Sequence, residues 1–146
     1  MIPLYTIGYE GSDPDRLVAA LRRSGVAVLA DVRAVANSRK RGFSKGALRE
    51  RLLTEGLGYE HFIALGTPKA GREAARAGDA EGLRRVYAEQ LATEAAVDAL
   101  SALRDLAARQ PICLFCFERD PRFCHRRLLA ERLAPMGFEA VDLDAV

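Results

Sequence analysis

Ile112-Cys113-Leu114-Phe115-Cys116-Phe117-Glu118-Arg119-Asp120-Pro121-Arg122-Phe123-Cys124-His125-Arg126 begins as an unbroken apolar run and passes through a polar loop. It then enters a helical pattern carrying Leu128, Leu129, Leu133 and Met136. A continuous apolar run of this kind reads as a strand covered on both faces, the setting of a parallel sheet. A strand that opens into a loop closing at a helix N-terminus is part of an α/β unit. In open α/β sheets that junction is where ligands bind. A loop that only had to turn would be built from Gly, Asn or Ser. This one holds two thiols, an imidazole, two carboxylates and several guanidinium groups.

The same alternation extends outward along the chain. Leu4 to Ile7 reads as a strand ended by Gly8. Asp13 then caps a helix with Pro14 in its first turn, Leu17, Val18 and Leu21 on its apolar stripe, and Gly25 at its end. Val26 to Asp31 is a second strand. Ser44 caps a helix whose inward positions are Leu48, Leu52 and Leu53. Tyr59 to Leu65 is a third strand containing His61. Residues 66–78 read as a loop or a short helix, with a lid as one role for them. Asp79 starts a helix running to about Thr93, and another covers Ala95 to Arg109. After the strand that Pro111 opens, a helix runs from near Cys124 to Ala134, and Phe138 to Leu143 is a last strand. The order predicts a single-domain, Rossmann-like three-layer α/β fold, with a mainly parallel sheet of about five strands and helices on both faces.

Composition bounds the function. At 146 residues the chain has the length of one domain able to bury a real core. No run approaches a membrane span, and Met1-Ile2-Pro3-Leu4 lacks the basic and apolar regions of a signal peptide, so a cytoplasmic location is expected. The net charge of +2 argues for no partner by itself. Its distribution does more, because Arg33 to Arg51 holds seven basic residues and one acid. That block is either an anion-binding face or a solvated surface. Three cysteines without a secretory signal make a disulfide framework unexpected. Cys113 and Cys116 lie three apart in a strand and point to opposite faces, so they form neither a zinc pair nor a thioredoxin-type pair. Cys113 reads as a small buried apolar residue.

In a parallel sheet the segments after the strands share one edge, so the chemistry-bearing residues converge there. Asp31, Glu118, Asp120, Cys124 and His125 are the candidate catalytic groups. Cys124 and His125 form a thiol–imidazole pair at a helix N-terminus, where the thiolate is favoured. Gly8, Tyr9, Glu10, Arg33, Ser38, Arg39, Lys45 and Arg126 are the candidate substrate or anion-binding groups. Structural readings stand beside these: Asp31 with Arg33 as a buried salt bridge, and Arg126 as a partner of Glu118, Asp120 or Asp31. Among the aromatics, Tyr9 and Phe43 are the better candidates for stacking on a base, and Phe117 reads as core. No metal set is assigned. Cys116, Cys124, His125 and His61 carry zinc-type donors, but Cys-x7-Cys-His is not a standard spacing and His61 comes from another strand.

Thr6-Ile7-Gly8-Tyr9-Glu10-Gly11, Asp31-Val32-Arg33, Ser38-Arg39, Gly42-Phe43-Ser44-Lys45, Leu65-Gly66, and Cys116 with Glu118, Asp120 and Cys124-His125-Arg126 together resemble the family catalogued as domain of unknown function 488. The resemblance runs from Tyr5 to about the last helix and implies a small α/β domain. It assigns no activity. One departure is the tetrapeptide Ala34-Val35-Ala36-Asn37, where proteins similar to this one often carry a proline.

The expectation for function is therefore an enzyme acting on a phosphate-bearing substrate, a nucleotide or a nucleic acid, in a crevice at the carboxyl edge of the sheet. The reaction class and cofactor stay open. Two alternatives remain: a non-catalytic nucleic-acid-binding module, and a Cys/His metal or redox sensor. The dinucleotide fingerprint and the P-loop are both missing from the sequence.

Overall fold

The computed structural model describes residues 1–146. Five strands form one sheet: β1 (Ile2–Gly8), β2 (Val28–Asp31), β3 (Gly58–His61), β4 (Ile112–Cys116) and β5 (Phe138–Asp142). Their order is β3-β2-β4-β1-β5, and every neighbouring pair is parallel. Six α-helices connect them: α1 (Pro14–Arg23), α2 (Lys45–Thr54), α3 (Lys69–Arg76), α4 (Ala80–Leu91), α5 (Glu94–Arg109) and α6 (His125–Leu133). No helix is long and apolar enough to cross a membrane.

Strand alternation divides the interior into two cores. Leu29, Cys113 and Phe115 face α1 and α2, against Leu17, Leu21, Leu48 and Leu52. Val28, Ala30, Ile112 and Leu114 face the other way, against Leu91, Leu103, Leu106, Leu129 and Leu133 of α4, α5 and α6. Layers of helix, sheet and helix follow, as the apolar runs predict. Cys113 is fully buried in the first of these cores.

Strand order decides where a crevice opens. After β1 and β2 the chain turns into α1 and α2 on one face of the sheet. After β4, which lies between them, it turns into α6 on the opposite face. Loops leaving adjacent strands therefore diverge, which is the topological switch point of an open α/β sheet.

Three local expectations are corrected. The third strand stops at His61 and does not reach Leu65. Its partner β2 ends at Asp31, opposite His61, and after Phe62 N–H donates to Asp31 O no ladder remains to extend. Ile63–Leu65 is instead a 3-10 turn, held by the Tyr87 hydroxyl donating to Leu65 O at 2.7 Å. Leu53 points outward, 61% exposed, because α2 docks through Leu48 and Leu52 and the next residue lies about 100° further round. Ser44 occupies the N-cap of α2 without capping it through its side chain. Its hydroxyl accepts from Ser38 N–H and donates to Ser38 O, which ties the basic loop to itself. Residues 69–76, left open by the sequence, form α3, with Gly71 lying close against Thr67 and Val86.

Candidate functional site: a cleft at the carboxyl edge

A cleft of about 520 Å³ opens at the switch point. The segment after β2 supplies Arg33, Ala34, Val35 and Asn37. The segment after β4 supplies Cys116, Phe117 and Glu118, and the start of α6 brings Cys124 and His125. α3 contributes Arg72 and Arg76, Thr67 lies just ahead of that helix, and Tyr9, Leu83 and Phe123 complete the lining.

His125 sits at the first position of α6 and is buried. Its Nε2 donates to Val32 O at 2.6 Å, which leaves Nδ1 as the ring's other nitrogen, 3.8 Å from Cys124 Sγ. Burial pulls the imidazole down to about 4, with the Arg126 charge acting in the same direction, so the ring is neutral at ordinary pH. Cys124 is the N-cap of α6, and its sulfur accepts from Arg126 N–H at 3.5 Å. Cys116 ends β4, and its sulfur accepts from Arg126 Nη1 at 2.9 Å. The sulfurs of Cys116 and Cys124 are joined as a disulfide across the loop, their Cα atoms 7.6 Å apart, and Cys113 alone is free, which corrects the expectation that no disulfide forms: the loop folds back and brings the two residues together. Glu118 lies beside them, its Oε2 3.7 Å from Cys116 Sγ. Burial pushes its carboxyl above the usual carboxylate range.

Not every candidate reaches the cleft. Asp31 is fully buried behind it. It accepts from Arg33 Nε and Nη2 at 2.9 and 2.8 Å and from the Tyr59 hydroxyl. Arg33 lines the cleft, but its remaining nitrogen, Nη1, donates to Phe43 O at 2.7 Å, and its guanidinium lies over the Phe115 ring. The Asp31–Arg33 pair is thus the buried salt bridge of the alternative reading. Arg126 is fully buried and donates to Thr6 Oγ1, Cys116 Sγ, Glu118 O and Arg119 O, so it organises the loop and faces no ligand. Asp120 caps a 3-10 turn, Pro121–Phe123, and hydrogen bonds from Arg122 hold it down to about 2. With Glu10, whose carboxylate accepts from Arg119 N–H, it lies on a separate depression. Gly8 is needed for close approach: a Cβ there would collide with the Glu118 backbone. Ser38, Arg39 and Lys45 lie outside the cleft. His61 donates to or accepts from nothing near the thiols; its Nε2 meets Arg33 O.

The aromatic assignments shift: Tyr9 lines the cleft, although nearly covered, whereas Phe43 does not reach it. Tyr9 and Phe43 are buried and stack on each other, ring centres 4.5 Å apart, with Phe115 beyond. Such a stack contributes about 0.5–1.5 kcal/mol per pair beyond area burial. Phe117, expected in the core, is 46% exposed at the cleft, and Phe123 is similarly exposed. The physical reason is the end of β4. Past Cys116 the strand is no longer covered by a helix on each side, so an apolar side chain there meets solvent.

The residues that sequence reasoning missed are Thr67, Arg72 and Arg76. A signal was present: Arg72 and Arg76 are four apart, which on a helix places them on one face. It was unreadable while 66–78 stayed a loop or a helix. Thr67 Oγ1 is a buried side-chain oxygen with no hydrogen-bond partner. Arg72 Nη1 donates to Thr67 O. Arg76 is exposed and has no carboxylate partner.

An open parallel α/β sheet with a cleft at its switch point is the class that fold and site define. Residues 13–133 match the family described as Domain of unknown function DUF488, and the chain belongs to that family. No curated protein and no solved structure matches it.

Proposed function

We propose that this protein is an enzyme acting on a phosphate-bearing substrate, a nucleotide or nucleic acid, bound in the cleft between α3 and the loop after β4. The observation that carries the reading is α3's contribution. Arg72 and Arg76 line the same cleft as the unpartnered hydroxyl of Thr67 and the exposed rings of Phe117 and Phe123. A phosphate would accept from the arginines and the hydroxyl, and a base would lie against the rings. The volume suits a ligand of that size. In this reading Arg72 and Arg76 carry the anion-binding role that the sequence assigned to Arg33, Arg39, Lys45 and Arg126. In the reduced protein the groups positioned to react at the floor of the cleft are Glu118, Cys124 and His125.

One observation favours a second reading, a non-catalytic nucleic-acid-binding module. Arg39, Arg41, Lys45 and Arg49 are exposed and none has an acidic partner, whereas Arg51 in the same block pairs with Asp15 and Glu55. A thermal-shift series with nucleotides, sugar phosphates and short oligonucleotides, at low and moderate salt, separates the two. The enzyme reading expects a phosphate compound to stabilise the wild type at both salt levels and to lose that effect in Arg76→Ala. Stabilisation by oligonucleotides alone, vanishing with salt and unchanged in Arg76→Ala, supports the binding module. No shift with any phosphate compound overturns the leading reading.

A further inference from the structure

We propose that Cys116, Cys124 and Glu118, in the reduced protein, form a binding site for a zinc-like divalent cation at the floor of the cleft, with one coordination position left open to it. The two sulfurs and a carboxylate oxygen lie within 4.8 Å of one another. Two thiolates and a carboxylate are a borderline-soft donor set of the kind zinc takes.

The two sulfurs are bonded in the structure, so the site opens only on reduction, when they part; the backbones that carry them already stand wide. Cα atoms of disulfide-bonded cysteines usually lie about 4.4–6.8 Å apart. Those of Cys116 and Cys124 are 7.6 Å apart. In a tetrahedral zinc site with Zn–S near 2.3 Å the two sulfurs stand roughly 3.8 Å apart, so the backbones that carry them stand further apart as well. A thiolate and a carboxylate oxygen on one zinc ion would be about 3.6 Å apart. Cys116 Sγ and Glu118 Oε2 are 3.7 Å apart.

The surroundings are those of metal-bound thiolates. Arg126 donates to both sulfurs, through Nη1 to Cys116 and through its backbone N–H to Cys124. Such donors orient thiolate ligands and spread their charge. Arg126 is itself fixed by Thr6 Oγ1, Glu118 O and Arg119 O, so the supporting shell is rigid. The ion also removes a conflict in the cleft. Two thiolates and a carboxylate would repel an anion drawn in by Arg72 and Arg76, and a divalent cation among them reverses the sign of the field there. Three protein ligands leave a fourth position for water or an anion, the pattern of zinc sites that act on substrates. Sequence spacing hid this set because Glu118 is not part of a Cys/His motif, and the fold of the loop brings it between the cysteines.

The test is metal content and cobalt spectroscopy on the full chain, reduced and kept free of oxygen and phosphate. The expected result is about one zinc per chain after dialysis, and cobalt substitution giving thiolate-to-metal charge-transfer bands with the intense visible bands of a tetrahedral ion. Cys113→Ala keeps both signals, because that thiol lies on the other face of the sheet. Cys124→Ala loses them. Glu118→Gln weakens zinc by at least about tenfold and moves the visible bands. Reduced wild type that retains neither metal overturns the proposal, as does full binding by Cys116→Ala and Cys124→Ala together. Should the cysteine variants fail to fold, the wild-type charge-transfer intensity decides, since absence of thiolate bands is equally fatal. Because no phosphate is present, the outcome is independent of the substrate reading above.

Discussion

Arg33, just past β2, and Arg126, in the first turn of α6, are both buried guanidinium groups at the carboxyl edge of the sheet, and they are compensated in opposite ways. Arg33 meets Asp31 in a two-point pair, and the same carboxylate accepts from Tyr59. Burial acts to lower Arg33, but the hydrogen bonds and charge of Asp31 outweigh it and hold Arg33 above its ordinary value. Arg126 donates to two carbonyls, a hydroxyl and a thiol, with no carboxylate among them. Burial holds it below its ordinary value, against the opposing charges of Asp142 and Glu118. One site is closed, its charges cancelled internally. The other keeps a guanidinium against the Cys116 sulfur with no carboxylate hydrogen-bonded to it. Of two arginines in adjacent motifs, one therefore braces the sheet edge and the other sets the electrostatics of the cleft floor.

The largest effect should come from breaking the closed pair. Arg33→Met leaves Asp31 buried without its cation and should cost about 3–5 kcal/mol, read as a lower midpoint in urea. Adding Asp31→Asn to Arg33→Met should recover part of that loss, because two neutral groups leave no orphan charge. A double variant less stable than Arg33→Met would break the comparison. Arg126→Met should cost less, about 1–3 kcal/mol, since it orphans carbonyls but no charge. A loss equal to that of Arg33→Met would show that Arg126 has a carboxylate partner after all.

Gly8→Ala tests the loop that Arg126 holds. Its new Cβ meets the Glu118 backbone, so the expected cost is about 1–3 kcal/mol, with loss of cobalt binding as the loop shifts. Retention of both stability and metal would mean that the loop can move without consequence. Arg76→Ala should leave the melting temperature of the free protein unchanged while removing stabilisation by phosphate compounds. The smallest effect is expected from Arg122→Ala. The Arg122–Asp120 pair is at the surface and only two residues apart in sequence, so no resolvable change in melting temperature should follow.

The strand and helix pattern was readable because burial on both faces leaves an unbroken apolar run, as in Ile112 to Phe115, and caps mark helix starts, as at Asp13 and Asp79. The errors fell where an element ends. His61 to Leu65 is apolar enough for a strand, yet a strand needs a neighbour, and β2 stops at Asp31. Tyr9 and Phe43 sit in polar stretches but stack beneath the sheet edge, while Phe117 extends a core strand and emerges into the cleft. Local sequence does not record where the covering layer stops.

For the candidate site, the sequence by itself determined which loop carries the chemistry. The cysteines, Glu118 and His125 cluster there because a short loop after a buried strand cannot avoid the carboxyl edge. Only the tertiary structure decided what each group faces. It turned Arg126 inward, closed Asp31 on Arg33, moved Asp120 to another surface and brought Thr67, Arg72 and Arg76 in from α3. The reason is strand order. Placing β4 between β1 and β2 opens the crevice beside Cys116 and sets α3 over it, and that pairing depends on contacts between residues far apart in the chain.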